Sequence, residues 1–210
     1  MEQVRRGIFA GLAAVALAGG AVTAAAPTAG AATSQCGSGC FAFASGEYGE
    51  SYVSAIQSRM PGQGSVVTLA GSGAYSGEDF VSLDEGTTTE FFQDGIVPIT
   101  LAKNWPSYQL YEYEFAPYGH PTNLCIGTAT AAVNGTELSL QPCGVNDQTL
   151  WLPEIHDAVN GFEPIIAGSD TRATAPYVIT AGSPGGALTT DEQASPERSS
   201  QLWEEIVGVL

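Results

Sequence analysis

Few residues in this chain have the chemistry of a catalyst. The two histidines are His120, in Tyr118-Gly119-His120-Pro121, and His156, in Ile155-His156-Asp157. A histidine beside an aspartate suggests an acid–base pair, but adjacent side chains on a strand point to opposite faces. Neither histidine is accompanied by a nucleophile motif, and no Gly-x-Ser-x-Gly elbow is present. Neighbouring carboxylates occur at Glu78-Asp79, Asp84-Glu85 and Glu204-Glu205. Glycoside hydrolysis needs two carboxyl groups about 5 to 9.5 Å apart, a distance that sequence adjacency does not supply. Gly71-Ser72-Gly73 lacks the lysine and helix of a phosphate loop. Non-covalent binding is a better match to the remaining polar residues. Asn146, Asp147 and Gln148 form a polar cluster beside Trp151, and Trp105 follows Asn104 on an expected loop framed by Pro98 and Pro106. Amides and a carboxylate suit hydroxyls, and an amphipathic ring offers a stacking face. Such turn residues also serve the backbone alone, and Trp105 has the alternative of packing as a lid. These four are the candidate ligand-binding residues; no catalytic residue, metal ligand set or cofactor is expected.

The first residues predict an export signal. Arg5-Arg6 is a basic start, Ile8 to Ala18 an apolar run, and Ala29-Gly30-Ala31 a small-residue cleavage pattern, giving a signal peptide over 1–31. The apolar run is shorter than the ~20 residues that span a bilayer. Residues 32–210 then suit one secreted, extracellular domain. The whole chain carries 6 basic against 22 acidic residues, a net charge of −16. Nucleic acid and anionic membranes need a basic footprint that is missing, so neither is an expected partner. An extracellular glycan or a secreted protein is; the oligomeric state is open.

Cys36, Cys40, Cys125 and Cys143 all follow the predicted cleavage site, and an even count in an exported chain argues for disulfides. Of three connectivities, proximity favours Cys36 with Cys40 and Cys125 with Cys143. A metal site at Cys36-x-x-x-Cys40 lacks a supporting His or Cys partner.

Twelve short apolar runs separated by Gly, Pro, Asn and Ser read as strands, with almost no helical periodicity. They fall into three groups of four, about 40–85, 109–155 and 160–207. Val53, Cys125 and Val178, as starts, are 72 and 53 residues apart; Phe80, Trp151 and Trp203, as ends, are 71 and 52 apart. Both landmarks shift together, as a repeat requires. The longer first interval places an insertion at about 86–108. Within it, Thr87 to Gly95 has the threonine start, acidic first turn and glycine stop of a short helix.

Leu124-Cys125-Ile126-Gly127, Leu138-Ser139-Leu140-Gln141-Pro142-Cys143, Thr149-Leu150-Trp151 and Gln201-Leu202-Trp203 resemble the lobes of ricin-B-type β-trefoil lectins over about 100 residues, from Gln109 to Val207. The resemblance implies an all-β fold: a β-trefoil-like barrel of three four-stranded lobes with a short helical insertion after the first. It implies that Trp151 and Trp203 belong to a pseudo-threefold core, and that a non-enzymatic, lectin-like role is to be expected. The alternative is a protein-interaction or protease-inhibitor-like trefoil, with the acidic segment Asp84 to Asp94 as its surface. The departures fall on the sugar site. Family members that bind sugar have an aspartate where this chain has Ala55, Gly127 and Thr180. They have an aromatic where it has Gln141, and Thr149 replaces the glutamine of Gln-x-Trp in the second lobe.

Overall fold

The computed structural model describes residues 39–73, 76–144, 146–172 and 174–207. The expected signal peptide and Cys36 lie outside the described residues; Cys40 is disulfide-bonded.

Among the described residues the chain forms twelve strands and two short α-helices. The strands are β1 Phe41–Ser45, β2 Gly49–Ile56, β3 Val67–Gly71, β4 Phe80–Thr87, β5 Gln109–Phe115 and β6 Leu124–Thr128. They continue with β7 Thr136–Pro142, β8 Trp151–Pro153, β9 Ile165–Ala167, β10 Tyr177–Thr180, β11 Thr189–Glu192 and β12 Trp203–Val207. Each overlaps one of the twelve expected runs. Short apolar runs bounded by turn residues explain why: β1 is buried at all five positions and β9 at all three.

Seven strands close on themselves. The ladder runs β5-β6-β7-β11-β10-β9-β8 and returns to β5 through Tyr111 opposite Trp151. Closure leaves no edge within that circuit. β4 extends it from β5, and β1 lies between β4 and β12 while also pairing with β2. One contact recurs three times: Phe41 opposite Phe80, Tyr111 opposite Trp151, Glu163 opposite Trp203. A second set matches it, with Ser45 opposite Trp203, Phe115 opposite Phe80 and Ala167 opposite Trp151. Both tryptophans are fully buried, and their indole N–H groups donate to the carbonyls of Ile126 (2.8 Å) and Ile179 (2.9 Å). A buried indole needs that partner.

The interior holds a main aromatic cluster around Phe41, Phe43, Tyr113, Phe115, Trp151 and Trp203. A second cluster, with Leu101, Leu110, Leu150 and Ile166, lies beneath the insertion. There α1 (Thr88–Gln93) starts at a capping box: Thr87 accepts from the Glu90 N–H, and Glu90 accepts from the Thr87 N–H and hydroxyl. Those bonds hold the Glu90 carboxyl below its ordinary range. The stretch between Pro98 and Pro106, expected as a loop, instead contains α2 (Ile99–Asn104). Pro98 is its N-cap, a position that needs no N–H, and Leu101 is buried. Ile155–Asp157 is a single 3₁₀ turn rather than part of a strand, so His156 is placed by a helical turn and not by strand alternation.

Candidate functional site

The expected disulfide is present: Cys125 and Cys143 are joined across the β6–β7 hairpin, with Leu124 opposite Pro142 and Cys125 opposite Gln141. Buried Glu112 lies beside it and accepts from the Gly144 N–H and the Thr149 hydroxyl. This hairpin contains Gly127. A Cβ at Gly127 would stand 2.9 Å from the Gln148 carbonyl oxygen and 2.9 Å from the Thr149 methyl carbon. No longer side chain fits. The space at Gly127 is filled by the chain's own turn.

The four sequence-expected ligand residues occupy two different places. Asn146 closes the turn before β8, its Oδ1 accepting from the Gln148 N–H (3.0 Å) and its carbonyl from the Thr149 N–H (3.1 Å). Asp147, half-buried, has its carboxyl raised by burial. Trp105 sits at the C-cap of α2, packed on the second cluster, with its indole bonded to Glu154. That is the lid arrangement.

The equivalent position in the third group of strands is open. Thr180 ends β10 and lines a pocket of about 800 Å³ together with Asn134, Asp191, Gln193, Arg198 and Gln201. The β10–β11 pairing sets Thr180 opposite Thr189, bringing Asp191 into the same hairpin. Asp191 accepts from the Gly135 N–H (3.2 Å) and the Thr189 hydroxyl (2.9 Å), and Asn134 accepts from the Glu192 N–H (2.7 Å). Glu192 is neutralised by Arg172, whose guanidinium lies 2.8 Å away and stacks over Tyr177.

Beneath the pocket lies buried Gln201. Its Oε1 accepts from the Ala194 N–H (2.8 Å), while its amide donates to the Glu192 carbonyl (2.9 Å) and the Thr180 hydroxyl (3.3 Å). One side chain therefore ties the pocket's floor to both sides. The corresponding second-group residue, Thr149, is too short to span that gap, and the two sites differ accordingly. Sequence reasoning found the Gln-x-Trp motif but missed Asn134, Asp191, Gln193 and Arg198. The available signal was Gln193, which stands 52 residues after Gln141.

The three-fold recurrence can be set against known structures. A designed 3-fold symmetric protein, ThreeFoil, superposes over 80% of this chain and 98% of its own, with TM-score 0.57 and 12% identity. The fold is a β-trefoil. The trefoil also matches a lectin from Polyporus squamosus, solved bound to the epitope Neu5Acα2-6Galβ1-4GlcNAc, over 81% of this chain and 49% of that one (TM-score 0.54, 14% identity). A mosquitocidal holotoxin matches over 81% of this chain and 17% of its own, with TM-score 0.54 and 14% identity. No protein-family profile matches this chain, and neither does any curated protein. Identities at this level speak to the fold alone.

Proposed function

We propose that this trefoil is a secreted, non-enzymatic glycan-binding protein of ricin-B-type ancestry, built as three four-stranded lobes and binding through the third. The observation that carries the reading is the contrast between Gly127, closed over by Gln148 and Thr149, and Thr180, which opens on the pocket above Gln201. Asn134, Gln193 and Arg198 offer donors and Asp191 a carboxylate acceptor, the groups that vicinal hydroxyls require. The lectin among the structural neighbours supports the same class of ligand. In this reading Asn146, Asp147, Gln148 and Trp105 support the scaffold rather than the sugar.

A glycan array followed by calorimetry tests it. Binding should fall at least about tenfold, or 1.4 kcal/mol, in Asp191→Ala. Retention of no glycan by the unaltered protein would remove the proposal. Export belongs to the same reading, and mass spectrometry of extracellular protein should find an N-terminus near residue 32.

A second reading, a scaffold for a basic protein partner, is favoured by the exposure of Phe92 and Ile99 and, in the same part of the sequence, of Asp84, Glu90 and Asp94. Protease-inhibition assays across a salt series separate it from the first, because exposed charges are screened over about 10 Å at 0.1 M.

A further inference from the structure

A hydrogen bond that recurs three times marks a second site. Just before Trp151, Trp203 and Phe80, the aromatics that begin β8, β12 and β4, a carbonyl accepts an N–H from a neighbouring turn. Leu150 accepts from Gly168 (2.7 Å), Leu202 from Gly46 (2.8 Å) and Asp79 from Ala116 (2.8 Å). In the first two the turn lies tight against the leucine. A Cβ at Gly168 would stand 2.8 Å from the Leu150 Cβ, and one at Gly46 would stand 3.0 Å from that of Leu202. The remaining junction departs at both residues, with Ala116 in place of glycine and Asp79 in place of leucine.

Asp79 sets the course of the turn that follows. Its carboxylate accepts from the Tyr118 N–H (2.9 Å), and Tyr118 takes φ +55°. That is the left-handed region, which a residue with a Cβ occupies only where its surroundings hold it. Tyr118 is left 55% exposed, whereas the residues in register with it, Tyr48 and Asp170, are half-buried and buried. Together with buried Ile56 and Phe115, and with Pro117, Arg59 and His120, it lines a cavity of about 770 Å³. This is not the first-group counterpart of the pocket at Thr180, since Ala55 is fully buried and outside the lining.

The charge of this cavity runs against that of the chain. Acidic residues outnumber basic ones by 22 to 6, yet none of the described lining residues is Asp or Glu. The pocket at Thr180, by contrast, takes in Asp191 and Glu192. Among the described residues the one salt bridge joins Arg172 to Glu192, so the Arg59 guanidinium has no carboxylate partner within them.

We propose that this cavity binds a small aromatic carboxylate, its ring against Ile56, Phe115 and Tyr118 and its carboxylate on Arg59. A guanidinium presents a planar fork that meets both carboxylate oxygens. His120 carries at least one further N–H. The rings of Phe115 and Tyr118 suit an aromatic guest, and the volume is that of a small-molecule site. A neutral sugar is a poorer match, because the lining offers apolar walls and no carboxylate acceptor.

Calorimetry on the whole protein is the test, with 3-phenylpropionate as probe, 3-phenylpropanamide as its uncharged counterpart and butyrate as an acid without a ring. The aromatic acid should bind, the amide should bind about tenfold more weakly, and butyrate should give no heat. Arg59→Gln, a change at an exposed residue, should weaken 3-phenylpropionate about tenfold. Tyr118→Gly should weaken it as much without lowering the melting temperature, because glycine adopts the left-handed conformation freely. Asp191→Ala should leave binding of the acid unchanged, which separates this cavity from the glycan pocket. No heat from 3-phenylpropionate at about 10 mM, equal affinity for acid and amide, or full affinity in Arg59→Gln overturns the proposal. So does a Tyr118→Gly protein that melts lower and binds equally well. The acid–amide comparison uses the unaltered protein and needs no variant to fold.

Discussion

At Gly127 a single hydrogen in place of a side chain lets the Gln148–Thr149 turn lie against β6. An aspartate placed there should therefore not create a binding site. Gly127→Asp should cost about 2 kcal/mol and lower the melting temperature by roughly 4 to 8 °C, because the overpacked neighbours include backbone. Thr180→Asp faces an open pocket and should leave the melting temperature unchanged. A Gly127→Asp protein that melts like wild type would show that the turn yields. Gln201→Ala removes one acceptor and two donated bonds from a buried cluster and should cost about 2 to 3 kcal/mol, read by denaturant titration. Trp151→Ala, with a fully buried ring, should cost about 3 to 5 kcal/mol. The tryptophans were legible in the sequence because their spacing repeats, and the Cys125–Cys143 pair because the two lie close together in the chain. The contacts of Gln201 were not. They run to Thr180, Glu192 and Ala194, and a motif names the side chain without naming its partners.

At the level of elements, all twelve strands could be read from short apolar runs and turn residues, since a strand's local pattern survives in its sequence. α1 was legible for the same reason, through Thr87 and Glu90. α2 was hidden because Pro98 suggests a break when it also serves as a helix start, and six residues show too little periodicity to decide. The β6–β7 hairpin is held by its disulfide across a sequence separation of 18. Replacing both Cys125 and Cys143 with alanine should cost about 3 kcal/mol, measured by chemical denaturation. Thr87→Ala should cost about 1 kcal/mol, since it removes half of the capping box. An unchanged midpoint in the latter would mean that α1 is held by Phe91 and the second cluster alone.

Across the whole molecule, the acidic composition has a consequence for pH. Glu163 is raised to about 7 and Asp170 to about 6, in both cases chiefly by burial, from ordinary values of 4.5 and 3.8. The unfolded chain then loses these protons at lower pH than the folded one. The stability that these two carboxyls contribute should be full below about pH 4, fall as pH rises through about 7, and be gone above that. Melting curves should show it, with Glu163→Gln flattening the decline. With solvent contact at Glu163 discounted, its share is about 1 kcal/mol. A melting temperature that rises from pH 5 to pH 8 would refute the assignment. Composition announced the charge but not this trend, because burial of particular carboxylates is a property of the assembled barrel. Assembly itself carries a constraint in time. β1 pairs along its whole length with β12, from Phe41 opposite Val207 to Ser45 opposite Trp203. During synthesis β1 must wait for residues 203–207 before this partner exists, so the β1–β12 ladder forms only after nearly all the strands between them have been made.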